Sequence, residues 1–136
     1  MLPAEISSPI FRNTFAKQER LTSKKEIEFL FKSGKSLFSF PFKVYYLFGD
    51  KDETVKAKVL ITVPKRQFKK AVDRNKVKRL FRESYRKNKN KLDLSTSNKP
   101  LHIAFLYVHS EIISYVEMEK KSISILEKIN QHIYKK

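Results

Sequence analysis

At 136 residues, 40% of them hydrophobic with eleven Phe and six Tyr, the chain is long enough to bury one aromatic-rich core and too short to expect two. The absence of cysteine excludes a disulfide framework and a thiolate metal site, and a net charge of +16 disfavours a cationic substrate. That charge makes a polyanion the expected partner, nucleic acid ahead of an anionic membrane surface.

Residues 1–18 lack a clear period and contain Pro3 and Pro9, which predicts a flexible arm ahead of one domain over 19–136. Pro3 and Glu5 also stand where an export signal needs a basic start, and no run of about 18 apolar residues occurs. The cytoplasm is therefore the expected location, with no membrane contact. Thr22 or Ser23, with Glu26 just beyond, predicts an N-cap for a short helix in which Ile27, Leu30 and Phe31 share a face, and Ser33-Gly34 ends it. Phe40, Phe42, Val44 and Tyr46 then alternate as one face of a strand, with room for an extra short strand near Ser36 to Phe38. After the polar turn Gly49–Glu53, Ala57, Val59, Ile61 and Val63 alternate in turn, and the turn between them predicts that the two strands pair as a hairpin.

Pro64 stops that strand and opens the most unusual stretch of the chain. Lys65 to Lys91 holds 13 Lys or Arg against Asp73 and Glu83, net +11 of the total +16. If Asp73 caps or begins a helix here, about 100° per residue gathers Val77, Leu80, Phe81 and Tyr85 into an apolar stripe. Asn75, Lys78, Arg79, Arg82, Arg86 and Lys89 fall opposite it. An ordinary solvated face mixes signs, and like charges at this spacing destabilise a helix by itself, so a phosphate-facing role is the better explanation. Beyond a Ser95–Pro100 loop, Leu101 to Val108 is apolar at nearly every position, as for a central strand covered on both faces. Ser114 and Glu117 form a capping box for a final helix with Met118, Ile125, Leu126, Ile129 and Ile133 on one side. The expected class is α+β, with a mixed sheet and helices packed on it.

Catalytic chemistry is sparse. His102, His109 and His132 make no metal-binding spacing, the carboxylates do not cluster beyond Asp50, Asp52 and Glu53, and Gly34 and Gly49 are the only glycines, too few for a phosphate-binding loop. Neither a catalytic residue nor a protein-held metal is expected. Arginines at 74, 79, 82 and 86 suit bidentate phosphate contact, and exposed aromatics suit stacking on unpaired bases.

Val72 to Glu83, read as ValAsp-ArgAsnLys-ValLysArgLeuPheArgGlu, resembles the arginine-asparagine-arginine motif and basic helix of the protein subunit of bacterial ribonuclease P. Lys76 replaces the usual second arginine, keeping charge and losing the bidentate fork. Val59 to Arg66 resembles the strand before that motif, with Leu60, Pro64 and Arg66 departing from the usual glycine, serine and lysine. Arg20-Leu21, Ile27, Phe31 and Gly34 are similar to the family's first helix, where Ile27 stands at an aromatic position. Tyr45 aligns with a strand tyrosine of the same cleft.

The resemblance implies a four-stranded mixed sheet in the order α-β-β-β-α-β-α, like ribosomal-protein domain 2. It also implies a left-handed βαβ crossover, against the right-handed rule met in about 98% of cases. It implies that the RNA subunit with Mg²⁺ removes the 5′ leader of precursor tRNA. The protein would bind that RNA through Lys65, Arg66, Arg74, Asn75, Lys76, Lys78, Arg79, Arg82 and Arg86, and the leader through Ile27, Phe31 and Tyr45. No obligate protein partner is implied. Periodicity alone leaves Phe31 divided between core and cleft rim. A ribosomal or ribosome-assembly protein would share the charge and the mixed fold, and a protein-only nuclease would need the carboxylate cluster this chain lacks.

Overall fold

The structure is a computed structural model that describes residues 19–92, 94 and 99–134; the expected arm at 1–18 and the loop residues 95–98 lie outside them. Its elements are α1 (Lys24–Ser33), β1 (Lys35–Ser39), β2 (Phe42–Phe48), β3 (Ala57–Thr62), α2 (Ala71–Asn88), β4 (Leu101–Tyr107) and α3 (Tyr115–Tyr134), with one 3-10 turn at Lys89–Lys91. The short strand suspected near Ser36 is β1.

Local chemistry sets the helix ends. The Glu26 N–H donates to Ser23 Oγ at 3.3 Å, the Glu117 N–H to Ser114 Oγ at 3.2 Å, and the Gly34 N–H to Leu30 O at 2.8 Å. Gly34 is required by proximity: a Cβ there would stand 2.5 Å from Leu30 O and 2.9 Å from Leu30 Cδ1. Gly34→Ala must therefore push the α1–β1 junction apart and is expected to cost about 1–3 kcal/mol. An unchanged urea midpoint would contradict this.

The sheet order is β1-β2-β4-β3, with β2 antiparallel to both neighbours and β3 parallel to β4. This corrects the hairpin expected between the strands at 42–48 and 57–62: β4 lies between them, and the hairpin is β1–β2, turning at Phe40-Pro41. The physical reason is the apolarity of β4, which is buried at every position but Leu106 and must have a strand on each side and layers above and below. The polar segment after β2 instead clasps the start of β4. Gly49 N–H donates to Pro100 O at 2.8 Å and Leu101 N–H to Lys56 O at 2.9 Å.

Alternation along the strands makes two layers. Phe42, Val44 and Tyr46 join Ile103, Phe105 and Tyr107 beneath Val77, Phe81 and Tyr85 of α2 and Met118, Ile125 and Ile129 of α3. On the other face Leu21, Leu30 and Ala104 form a smaller cluster with Ile27, Tyr45, Leu47 and Leu60, under α1. The connection β3–α2–β4 is the parallel crossover unit, so the basic helix is built into the centre of the topology.

Candidate nucleic-acid interface

The apolar stripe of α2 decides where its cations point. Phe81 is about 1% exposed and its ring centre lies 4.6 Å from Phe105 and 5.3 Å from Phe42, while Val77 and Tyr85 are buried beside it. Two polar residues not anticipated in this buried face are Ser84 and Asn88, and Asn88 ties α2 to α3: its Nδ2 donates to Ser84 O within α2 at 2.9 Å and across to Glu119 Oε2 at 3.0 Å. With that side fixed, Asn75, Lys76, Arg79 and Arg82 are exposed, Arg74, Lys78 and Arg86 half-buried, and Lys65 and Arg66 exposed on the turn closed by Gln67 N–H donating to Pro64 O at 3.1 Å.

These cations differ in what they are free to do. Asp73 sits in the first turn of α2, where the helix dipole favours it, and does not cap. Lys70 occupies the cap position without a side-chain bond, and Arg74 organises the entry instead, Nη1 donating to Phe68 O and Lys69 O, both at 2.9 Å. Arg86 grips Glu83 bidentately, Nε to Oε1 at 3.1 Å and Nη2 to Oε2 at 2.6 Å. That bond holds the Glu83 carboxyl below its usual range and raises the Arg86 guanidinium. Arg82 is pushed the other way, first by burial and then by the charge of Arg20, which bridges to Val59 at the outer edge of β3. An anion placed at Arg82 would relieve that like-charge strain.

On the opposite face of the sheet, α1 divides its side chains between core and rim. Leu30 is wholly buried, Ile27 is half-buried, and Phe31 keeps 38% of its surface exposed. Phe31 meets Tyr45 edge-on, ring centres 4.8 Å apart at 64°. Phe31 thus stands at the rim of the α1 layer, partly packed and partly open. Lys43, two residues along β2 and so on the same face, holds its Nζ 5.4 Å from the Tyr45 ring centre. The period-two spacing of Lys43 and Tyr45 was the signal that could have included Lys43. All three residues proposed for the leader lie together, apart from the α2 cations.

The histidines are used structurally. Tyr46 Oη lies 3.2 Å from His132 Nδ1, His109 packs on Phe40, and burial pushes the His102 imidazole down toward its neutral form. Among the described residues no group of three or more His, Cys, Asp or Glu could hold a metal ion, and no helix is long and apolar enough to cross a membrane.

Comparison with known proteins agrees with this geometry. The family model described as Ribonuclease P matches residues 15–130. The ribonuclease P protein component of Porphyromonas gingivalis is 36% identical over 107 residues, covering 77% of this chain and 78% of that one. The Thermotoga maritima component is 30% identical over 116 residues, covering 85% and 96%. Among solved structures, the Thermotoga maritima RNase P protein superposes with a TM-score of 0.66 at 27% identity, over 81% of this chain and 96% of that chain. The Staphylococcus aureus RNase P protein shares the fold, with a TM-score of 0.64 at 22% identity over 82% and 94%. A family match over residues 15–130, with a relative 36% identical across 77% of this chain, establishes that this chain belongs to the ribonuclease P protein family.

Proposed function

We infer that the chain works as the protein component of the ribonuclease P endoribonuclease. It binds the catalytic RNA through α2 and the Lys65–Arg66 turn, and holds the single-stranded 5′ leader of precursor tRNA against Phe31, Tyr45 and Lys43. The observation that carries this reading is the Phe31–Tyr45 pair, Phe31 exposed and Tyr45 half-buried, lying on the opposite sheet face from the basic helix. A structural RNA binder of the ribosome needs the cations but has no use for that pair. Membership of this family supports hydrolysis by the RNA subunit, and we assign the Mg²⁺ of the reaction to that RNA. The protein contributes fixed positive charge: its ammonium and guanidinium groups neutralise phosphates that otherwise demand free cations, and the aromatic cleft discriminates precursor from mature tRNA. The cytoplasm, where precursor tRNA is made, is the compartment proposed for this work.

The RNA-subunit half of the reading is tested by salt dependence. Arg79→Ala and Arg82→Ala should each weaken assembly and lower the slope of log K against log salt by about one phosphate contact. Arg86→Ala should do less, because that guanidinium is held by Glu83. Arg74→Ala should weaken assembly and also loosen the start of α2, where its two carbonyl bonds are made. Unchanged affinity and slope in Arg79→Ala and Arg82→Ala would contradict the assignment.

A further inference from the structure

A second aromatic and cationic surface lies away from both the α2 face and the Phe31 cleft. The β1–β2 hairpin projects at the edge of the sheet, and between it and α3 runs a groove of about 500 Å³. The hairpin contributes Phe38 and Phe40, which remain 60% and 48% exposed. Helix α3 contributes Lys120, Lys121 and Lys128, with Glu117 at its N-terminal end, the end where the helix dipole favours a carboxylate. Positions 117, 121, 124 and 128 repeat at helical spacing, so these groups form one stripe along the groove.

The groove belongs to the α3 side of the sheet. Ser39 pairs across the hairpin with Phe42, whose ring lies in the core under α2 and α3, and Lys128 Nζ donates to Ser39 Oγ at 3.3 Å. Tyr45 and Phe31 are on the other side. A strand lying in the leader cleft therefore does not reach this groove along the same face.

Its chemistry selects a ligand class. None of the three lysines is ion-paired among the described residues, and the lining carries three positive charges against one negative. Phe40, which lines the groove, is braced by His109, ring centres 4.9 Å apart, and keeps about half of its surface exposed. Exposed rings beside ammonium groups, in a concavity of the size that takes one drug-sized ligand, suit a base on the aromatic and its phosphates on the lysines. Ammonium groups lack the directional fork of arginine, so contact is to backbone phosphate and tolerant of sequence.

We propose that this groove is a second binding site for single-stranded RNA, taking one or two unpaired nucleotides on the face opposite the leader cleft. An RNA segment held there would let the protein grip unpaired nucleotides from both sides of its sheet.

The test uses the full ¹⁵N-labelled chain titrated with decauridylate, reading backbone amides so that each surface reports separately. Amide shifts at Phe38 to Phe40 and along Glu117 to Lys128 are expected to saturate. Phe40→Ala, and separately the Lys120→Ala/Lys121→Ala pair, should weaken that saturation about fivefold or more, the lower range for losing one stacked base. Shifts at Phe31 and Tyr45 should stay as they were, and those signals judge the leader cleft independently. All three substituted side chains are exposed or half-exposed, and unchanged amide dispersion verifies the fold. The proposal is overturned if the groove amides do not move at concentrations that saturate α2. It is equally overturned if an acidic peptide shifts them at lower concentration than decauridylate, which would make the groove a peptide site.

Discussion

Phe81→Ala is expected to lower stability by about 3–5 kcal/mol, the range for removing a buried ring whose surroundings relax only in part. Phe81 is about 1% exposed and lies between Phe42 and Phe105 of the sheet and Tyr85 of its own helix, so its removal opens a cavity between α2 and the strands. With total stability of a domain about 5–15 kcal/mol, this one change consumes a large share. RNA should partly restore the fold, because it binds the folded state and not the unfolded one. Urea denaturation with and without the RNA subunit checks both statements. A midpoint close to wild type without RNA would show that α2 is not held by this ring.

The second large effect falls on substrate choice. Base stacking on an aromatic contributes about 1–3 kcal/mol, so Phe31→Ala and Tyr45→Ala should each weaken precursor tRNA binding roughly fivefold to a hundredfold. Mature tRNA, which has no leader, should bind as before. Because the two rings touch at 4.8 Å, the double variant should lose less than the two single losses combined. Phe31 is 38% exposed, so its removal should shift the urea midpoint far less than Phe81→Ala. Titration of labelled precursor and mature tRNA onto the assembled holoenzyme gives the comparison. If Phe31→Ala unfolds the protein and weakens both tRNAs alike, the residue is core and the leader cleft is misplaced.

Much of this was legible in residue order because the signals are local. Ser114 capped the helix it was expected to cap, Ser23 of the pair Thr22 and Ser23 capped α1, and of the stripe, Val77, Phe81 and Tyr85 are buried fully and Leu80 in part. Strand pairing was not legible. The partner of β3 is a strand more than thirty residues further on, and only the two-sided apolarity of β4, satisfied by a place inside the sheet, decides it. The charge of α2 was readable, whereas its division of labour was not. Arg86 answering Glu83 is an i, i+3 pair open to inspection, but Arg74 closing the helix entry depends on where Phe68 and Lys69 turn their carbonyls. Phe31 was ambiguous because a rim position is defined by where α1 leaves the sheet, a property of packing and not of the helix's own period. Period-two spacing puts Lys43 on the face of Tyr45, but its approach to that ring depends on packing.

The most direct measurement is cleavage of precursor tRNA by the cognate RNA subunit at low Mg²⁺, with and without this protein. The expected result is that RNA alone is slow there, that adding the protein restores removal of the 5′ leader, and that the protein without RNA cleaves nothing. The contradicting result is cleavage by the RNA subunit that the protein leaves unchanged at every Mg²⁺ concentration, or cleavage by the protein in the absence of RNA.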